Sequence, residues 1–209
     1  MNTTKLNILI VEDKSENIAA AKRFLAGHDL TIVSGFDDAL TALKRNGYHR
    51  RKVEAPDKFD AVLTDCMFPK GGTACMGPKG EAVVNCQGDM PYGPMIVLHA
   101  IEAGVPLVGL ITQGNHHDDP FVFALDSLKG FKGQKTSVAI TNSLNRLVYT
   151  ESGEPVDTLS EDYKDHWKAQ KQGRVCWVKD WGRLLERAMG TEAPPKNDWQ
   201  EPAVVLHQI

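Results

Sequence analysis

The feature that most constrains this chain is an apolar run that stops at an acid. Residues 59–69 read FDAVLTDCMFP. Ala61, Val62 and Leu63 are continuously apolar, as in a short strand covered by helices on both faces. Asp65 stands where that strand ends, and Pro69, which cannot continue a ladder, marks the turn. Residues 6–11 repeat the pattern and stop at Glu12-Asp13. In an open parallel sheet, chemistry collects beyond the carboxyl ends of the strands, so acids at that edge are positioned to act.

The segments between these runs read as helices. In residues 14–26, Ile18, Ala21 and Leu25 share one helical face, and Gly27 stops the helix. Residues 30–33 form a second short strand. Phe36, Leu40 and Leu43 mark a helix over 36–46. The order β-α-β-α-β with short links predicts a parallel sheet with crossover helices. A Gly-rich stretch with Pro78, Pro91 and Pro94 makes residues 70–94 a long loop. A helix resumes at about Pro94 and runs to Ala103, followed by a strand over 105–111 that ends at Thr112. A further helix is expected over 121–128. Residues 138–141 and 147–150 read as strands able to pair with each other, and residues 159–172 as a polar helix. Residues 174–179 are another strand candidate. Trp181, Leu184, Leu185 and Ala188 form the apolar face of a last helix, a core stripe rather than a cofactor box.

In a sheet ordered 2-1-3-4-5, strands one and three are neighbours, and their ends gather Glu12, Asp13 and Asp65. Such a cluster is costly without a cation, because like charges raise each other's pKa. Mg²⁺, a hard ion bound by a few carboxylates, waters and phosphate oxygens, resolves that cost. A metal beside an aspartate suits phosphoryl transfer, in which a carboxylate can be the nucleophile. The transferring group then needs positive charge and a hydroxyl donor. Lys179 could supply the first and Thr112 the second. The bland alternatives are that Glu12-Asp13 simply favour a helix start through the dipole, and that Asp65 and Thr112 cap turns.

These residues resemble a known family. ILIVED (8–13), DAVLTDCMFP (60–69), GVPLVGLIT (104–112) and WVK (177–179) look like the motifs of the receiver domain of two-component response regulators. The resemblance covers most of residues 5–128 and resumes at about 174–189. It implies a doubly wound α/β fold, a five-stranded parallel sheet ordered 2-1-3-4-5, with insertions. It implies that Asp65 accepts phosphate from a sensor histidine kinase or phosphotransfer protein. Asp13, Asp65 and the Met67 backbone carbonyl would hold Mg²⁺, Glu12 would assist through water, and Thr112 and Lys179 would contact the phosphoryl group. The chemistry would be at most self-phosphorylation and autodephosphorylation. The expected organisation is one receiver-like domain over 1–190, with insertions at about 70–94 and 130–172, and an extended tail over 191–209.

Several features depart from that pattern. Besides the insertions, Asp180 follows Lys179 where proline is usual, and it could pair with the lysine. Cys176 occupies the place of the switch aromatic, with Trp177 displaced by one. The clearly amphipathic helix after Lys179 favours residues 174–178 as the fifth strand over residues 137–141, after which no lysine follows. A formal net charge of -3 gives no argument for direct nucleic-acid binding. No apolar run approaches a membrane span, no signal peptide is evident, and Cys66, Cys75, Cys86 and Cys176 read as reduced thiols, so a cytoplasmic protein is expected. A zinc site at Cys75 and Cys86 stays open. His116-His117-Asp118-Asp119 reads as a polar loop more readily than as a metal cluster. With no recognisable output domain, signalling would pass to a downstream protein target, and a homodimer is compatible with that. A degenerate receiver acting as an interaction module is the alternative. An aspartate-nucleophile phosphohydrolase fits poorly, because Met67 stands where its second aspartate is needed.

Overall fold

Apolar strands that stop at polar residues bury themselves side by side and leave their ends at one edge. The computed structural model describes residues 4–43, 59–69, 89–112, 135–141, 144–149, 152–153 and 169–191. Five strands build its central sheet: β1 (Asn7–Val11), β2 (Asp29–Val33), β3 (Ala61–Asp65), β6 (Leu107–Ile111) and β7 (Ser137–Thr141). They run in the order β2-β1-β3-β6-β7, all parallel. This is the predicted 2-1-3-4-5 arrangement of a doubly wound α/β fold.

Helices cover both faces. Alternate residues of each strand point to opposite sides. Ile8, Ile10, Ala61, Leu63 and Ile111 pack with α1 (Ser15–Phe24) and α4 (Trp181–Met189). Leu9, Val11, Val62, Val108 and Leu110 pack with α2 (Phe36–Ala42) and α3 (Gly93–Glu102). Trp181, Leu184, Leu185 and Ala188 are buried, as their spacing predicts. In α1 the buried stripe is Asn17, Ala20 and Ala21, continued by Leu25 beyond the helix, while Ile18 is only half-buried. A polar residue therefore takes the position at the start of the stripe that an apolar reading would not give it.

The registers align the carboxyl ends. Val11 pairs with Thr64, and Asp65 pairs with Ile111. Asp60 fixes the other end of the β1–β3 pair, because Asn7 N donates to Asp60 Oδ2 at 2.8 Å and Asp60 N donates to Asn7 O at 2.8 Å. A slip there would separate Glu12 and Asp13 from Asp65.

The fifth strand differs from the expectation. It is Ser137–Thr141, not residues 174–178. The half-polar sequence SVAIT, with its alternating exposure, suits the edge of a sheet better than a fully covered position. Residues 138–141 and 147–150 do not pair with each other either. β8 (Asn145–Tyr149) leaves the sheet and pairs antiparallel with β9 (Val175–Lys179), with Asn145 opposite Lys179. This two-stranded excursion packs on α1 and brings the chain back to the edge it left. The loop expected over 70–94 ends sooner than that, because Asp89 and Met90 form a strand. β4 (Phe68–Pro69) and β5 (Asp89–Met90) pair antiparallel, and α3 begins directly after them.

Residues 121–128, His116 to Asp119, Cys75, Cys86 and the tail from residue 192, for which the sequence sets expectations, lie outside the described residues, as does most of 159–172. Among the described residues, no helix is long and apolar enough to cross a membrane.

One strand position carries a steric requirement. A Cβ on Gly109 of β6 would lie 2.8 Å from both Leu184 Cγ and Leu63 Cδ2. The missing side chain is the notch in which α4 sits. Gly109→Ala should therefore cost about 1–3 kcal/mol, the usual penalty for overpacking a core. Denaturant titration measures it, and an unchanged midpoint would mean that α4 is not seated there.

Candidate functional site

Three carboxylates converge where β1 and β3 end. Glu12, Asp13 and Asp65 each offer an oxygen, and these atoms all lie within 4.8 Å of one another. Glu12 continues β1, its N donating to Val33 O at 3.0 Å. Asp65 is the last residue of β3. The sheet, not local sequence, makes the cluster.

Lys179 enters this cluster. Its Nζ lies 2.5 Å from Glu12 Oε2 and 2.7 Å from Asp65 Oδ2. All three side chains are buried, with at most 5% exposure. An ammonium removed from water needs such partners, and breaking a buried pair leaves an uncompensated charge. The remaining oxygens are also engaged. Asp65 Oδ1 accepts from Cys66 N at 2.6 Å. Glu12 Oε1 accepts from Asp13 N at 3.2 Å and from Lys14 N at 3.0 Å. Glu12 thus does two jobs: it receives the backbone donors of Asp13 and Lys14, just before α1, and it holds the lysine. Burial pushes its carboxyl above the ordinary range; the Lys179 charge opposes that rise, and the Asp65 charge adds to it.

Asp13 is different. Its Oδ1 is buried and has no hydrogen-bond partner among the described residues. Three carboxylates against one ammonium leave two formal negative charges uncompensated, the charge of one divalent cation. The donors are all oxygens, which suits a hard ion such as Mg²⁺. The residues present therefore fit a divalent cation held by Asp13 with Asp65 and Glu12. Met67, whose carbonyl is the further expected ligand, is half-buried just beyond Asp65.

Thr112 is buried one residue beyond β6, and its N donates to Thr141 O at 3.1 Å, extending the sheet by one rung. It stands at the same edge, on the strand next to β3. Asp180 does not pair with Lys179 as expected. Its side chain caps α4 by accepting from Arg183 N at 3.1 Å and lies 3.7 Å from Arg146. The helix start takes the charge that the sequence seemed to set against the lysine. Trp177 is largely exposed and Cys176 is half-buried.

Two residues at the site give no sequence signal of their role. Asn17 of α1 accepts from Lys179 N through Oδ1 at 3.0 Å. Gly93 starts α3 against the end of β3, its N donating to Cys66 O at 2.9 Å. A Cβ there would lie 2.2 Å from the Asp65 carbonyl oxygen. Only a glycine lets α3 approach the Asp65 main chain this closely.

The fold and the site define a class: a doubly wound α/β protein with flavodoxin-like strand order, carrying buried acids and one lysine at the carboxyl edge of its sheet. No protein-family model matches the chain, and no curated protein does. Several solved structures similar to it are response regulators. The phosphorylated cyanobacterial phytochrome response regulator RcpA is 18% identical over 66% of this chain and 81% of its own, with a TM-score of 0.39. The Mn²⁺-bound response regulator Rcp1 is 16% identical over 79% of this chain and 92% of its own, with a TM-score of 0.38. The non-phosphorylated HemR receiver domain from Leptospira biflexa is 15% identical over 81% and 94%, with a TM-score of 0.33. Likeness at this level says nothing about chemistry; the residues at the edge of the sheet do.

The charge balance predicts opposite responses to two substitutions. In a Mg²⁺ titration followed by tryptophan fluorescence, Asp13→Asn should weaken binding by about tenfold or more, the scale of one charge-assisted contact. Lys179→Met removes a competing cation and should tighten it. Without metal, the same variant should lose about 3–5 kcal/mol of stability, because Glu12 and Asp65 stay buried without their counter-charge. Unchanged affinity in both variants would place any bound ion elsewhere.

Proposed function

We propose that this chain is a receiver-type phosphoacceptor, with Asp65 as the acceptor. The observation that carries the reading is the Lys179 ammonium, in contact with Asp65 and Glu12 beside the unpartnered oxygen of Asp13. A carboxylate oxygen of Asp65 attacks the phosphorus of a phosphohistidine on a sensor kinase or phosphotransfer protein. A P–O bond forms as the P–N bond breaks, and the imidazole leaves with the electron pair and takes a proton from solvent. Lys179 already touches the attacking carboxylate, so its charge can follow the negative charge outward onto the phosphoryl oxygens. Thr112 offers a hydroxyl from the neighbouring strand. Mg²⁺, held by Asp13, Asp65 and the Met67 carbonyl with Glu12 assisting through water, would neutralise the phosphoryl oxygens. The acyl phosphate breaks the Lys179–Asp65 contact as it now stands, and the altered edge is what a downstream protein reads.

A second reading has its own support. Asp65 keeps only 5% side-chain exposure, with one oxygen hydrogen-bonded to Cys66 N and the other ion-paired with Lys179. A donor must displace Lys179 before it reaches the carboxylate. A chain in which that step never occurs would be a receiver-like interaction module, in which Lys179 only neutralises the acids.

Intact-mass measurement after incubation with Mg²⁺ and acetyl phosphate separates the two. A phosphate adduct on the wild type that is absent from Asp65→Asn is the expected result. Mg²⁺-dependent binding of beryllofluoride, which mimics the aspartyl phosphate, guards against a poor donor. Neither adduct nor binding would sink the phosphoacceptor reading in favour of the interaction module.

A further inference from the structure

Lys179 lies in the acidic cluster, yet its strand is not part of the central sheet. The fifth strand of that sheet is β7, whereas the lysine closes β9, whose ladder partner among the described residues is β8. A two-stranded ribbon is a weak support on its own. Its last residue must nevertheless hold an ammonium within bonding distance of two carboxylates on β1 and β3. Some contact has to tie the end of β9 to the part of the chain that carries the acids.

Asn17 makes that contact. It lies one helical turn after Asp13 and is fully buried. Its side-chain Oδ1 accepts from Lys179 N at 3.0 Å, and its backbone oxygen accepts from Trp181 Nε1 at 3.0 Å. One residue of α1 thus grips the chain on both sides of Asp180. The bond to Lys179 also satisfies a main-chain N–H that β8 does not take, since the 145–179 pair is linked one step further on by Asp180 N donating to Leu144 O at 2.9 Å. The amide nitrogen of Asn17 is buried with no partner among the described residues. A side chain that pays that cost for the sake of its oxygen is retained for the one bond the oxygen makes.

We propose that Asn17 is a positioning residue that sets the height of Lys179 against Asp65, tying the lysine to the same β1–α1 segment that carries Glu12 and Asp13. Its kinetic consequence rests on the phosphoacceptor reading; its structural consequence does not. The clamp acts on the lysine and not on the carboxylates, so its loss affects phosphoryl transfer and Mg²⁺ binding unequally.

Two measurements on the full chain test this, with Leu25→Ala as the control. Leu25 is buried just beyond α1, so its truncation unseats the same region and touches neither bond of Asn17. The first is amine labelling with an acetylating ester, read by peptide mass spectrometry. Lys179, with 1% side-chain exposure, should be protected in the wild type. Asn17→Ala should raise its labelling rate about tenfold, the scale of one lost buried hydrogen bond. Labelling no faster than in Leu25→Ala would overturn the proposal. The second is the rate of phosphorylation by acetyl phosphate. Asn17→Ala should slow it about tenfold without weakening Mg²⁺ binding, since a loosened lysine competes less with the ion. Loss of both in parallel would mean a merely structural role and would also overturn it. If the wild type neither takes phosphate nor binds beryllofluoride, the phosphoacceptor reading falls, and the labelling alone decides whether Asn17 positions the lysine.

Discussion

A single buried ammonium holds the carboxyl edge of this sheet together. Lys179 touches Glu12 and Asp65 at once, and none of the three side chains reaches water to any extent. Without it, two carboxylates would face each other in a poorly solvated space beside a third, and each would resist ionisation. The rest of the architecture follows from bringing that group into place. The β1–β3 register presents the acids, Gly93 lets α3 close over the main chain of Asp65, and Gly109 lets α4 seat deeply enough to hold the chain just after the lysine.

The sheet was legible where hydrophobicity and chemistry change at the same residue. Residues 6–13 pass from apolar to acidic in one step, Val11 to Glu12, and residues 61–65 in two, Leu63 through Thr64 to Asp65, and those changes locate both strands and their ends. The fifth strand was harder to read. The amphipathic helix after Lys179 is genuine, with Trp181 and Leu184 fully buried, but a helix that packs on the sheet does not require that the strand before it belong to the sheet. Local periodicity carries no information about which ladder a strand joins. Ser137–Thr141 and Val175–Lys179 are both five-residue strands, and only tertiary pairing separates them.

The acids and the lysine of the candidate site were visible as residue types at strand ends; their supports were not. Asn17 sits within an otherwise helical pattern and meets its partner 162 residues away. Gly93 looked like part of a loop rich in glycine, and only the approach of α3 to Asp65 shows why that one cannot be replaced. Asp180 looked like a competitor for the lysine because it is adjacent in sequence. Adjacent side chains on an extended strand diverge, and the start of α4 offers this one a backbone N–H instead.

The excursion through β8 and β9 has a consequence for how the molecule assembles. Lys179 and Glu12 are 167 residues apart, and the sheet is complete before the chain reaches the lysine. Closing so long a loop is entropically slow, and contacts of high sequence separation form late. The acids are gathered by strand pairing, and neutralised by a segment that the sheet does not need for its own hydrogen bonds. Losing the hold of that segment would leave the ladder of the sheet intact and its acidic edge without a counter-charge.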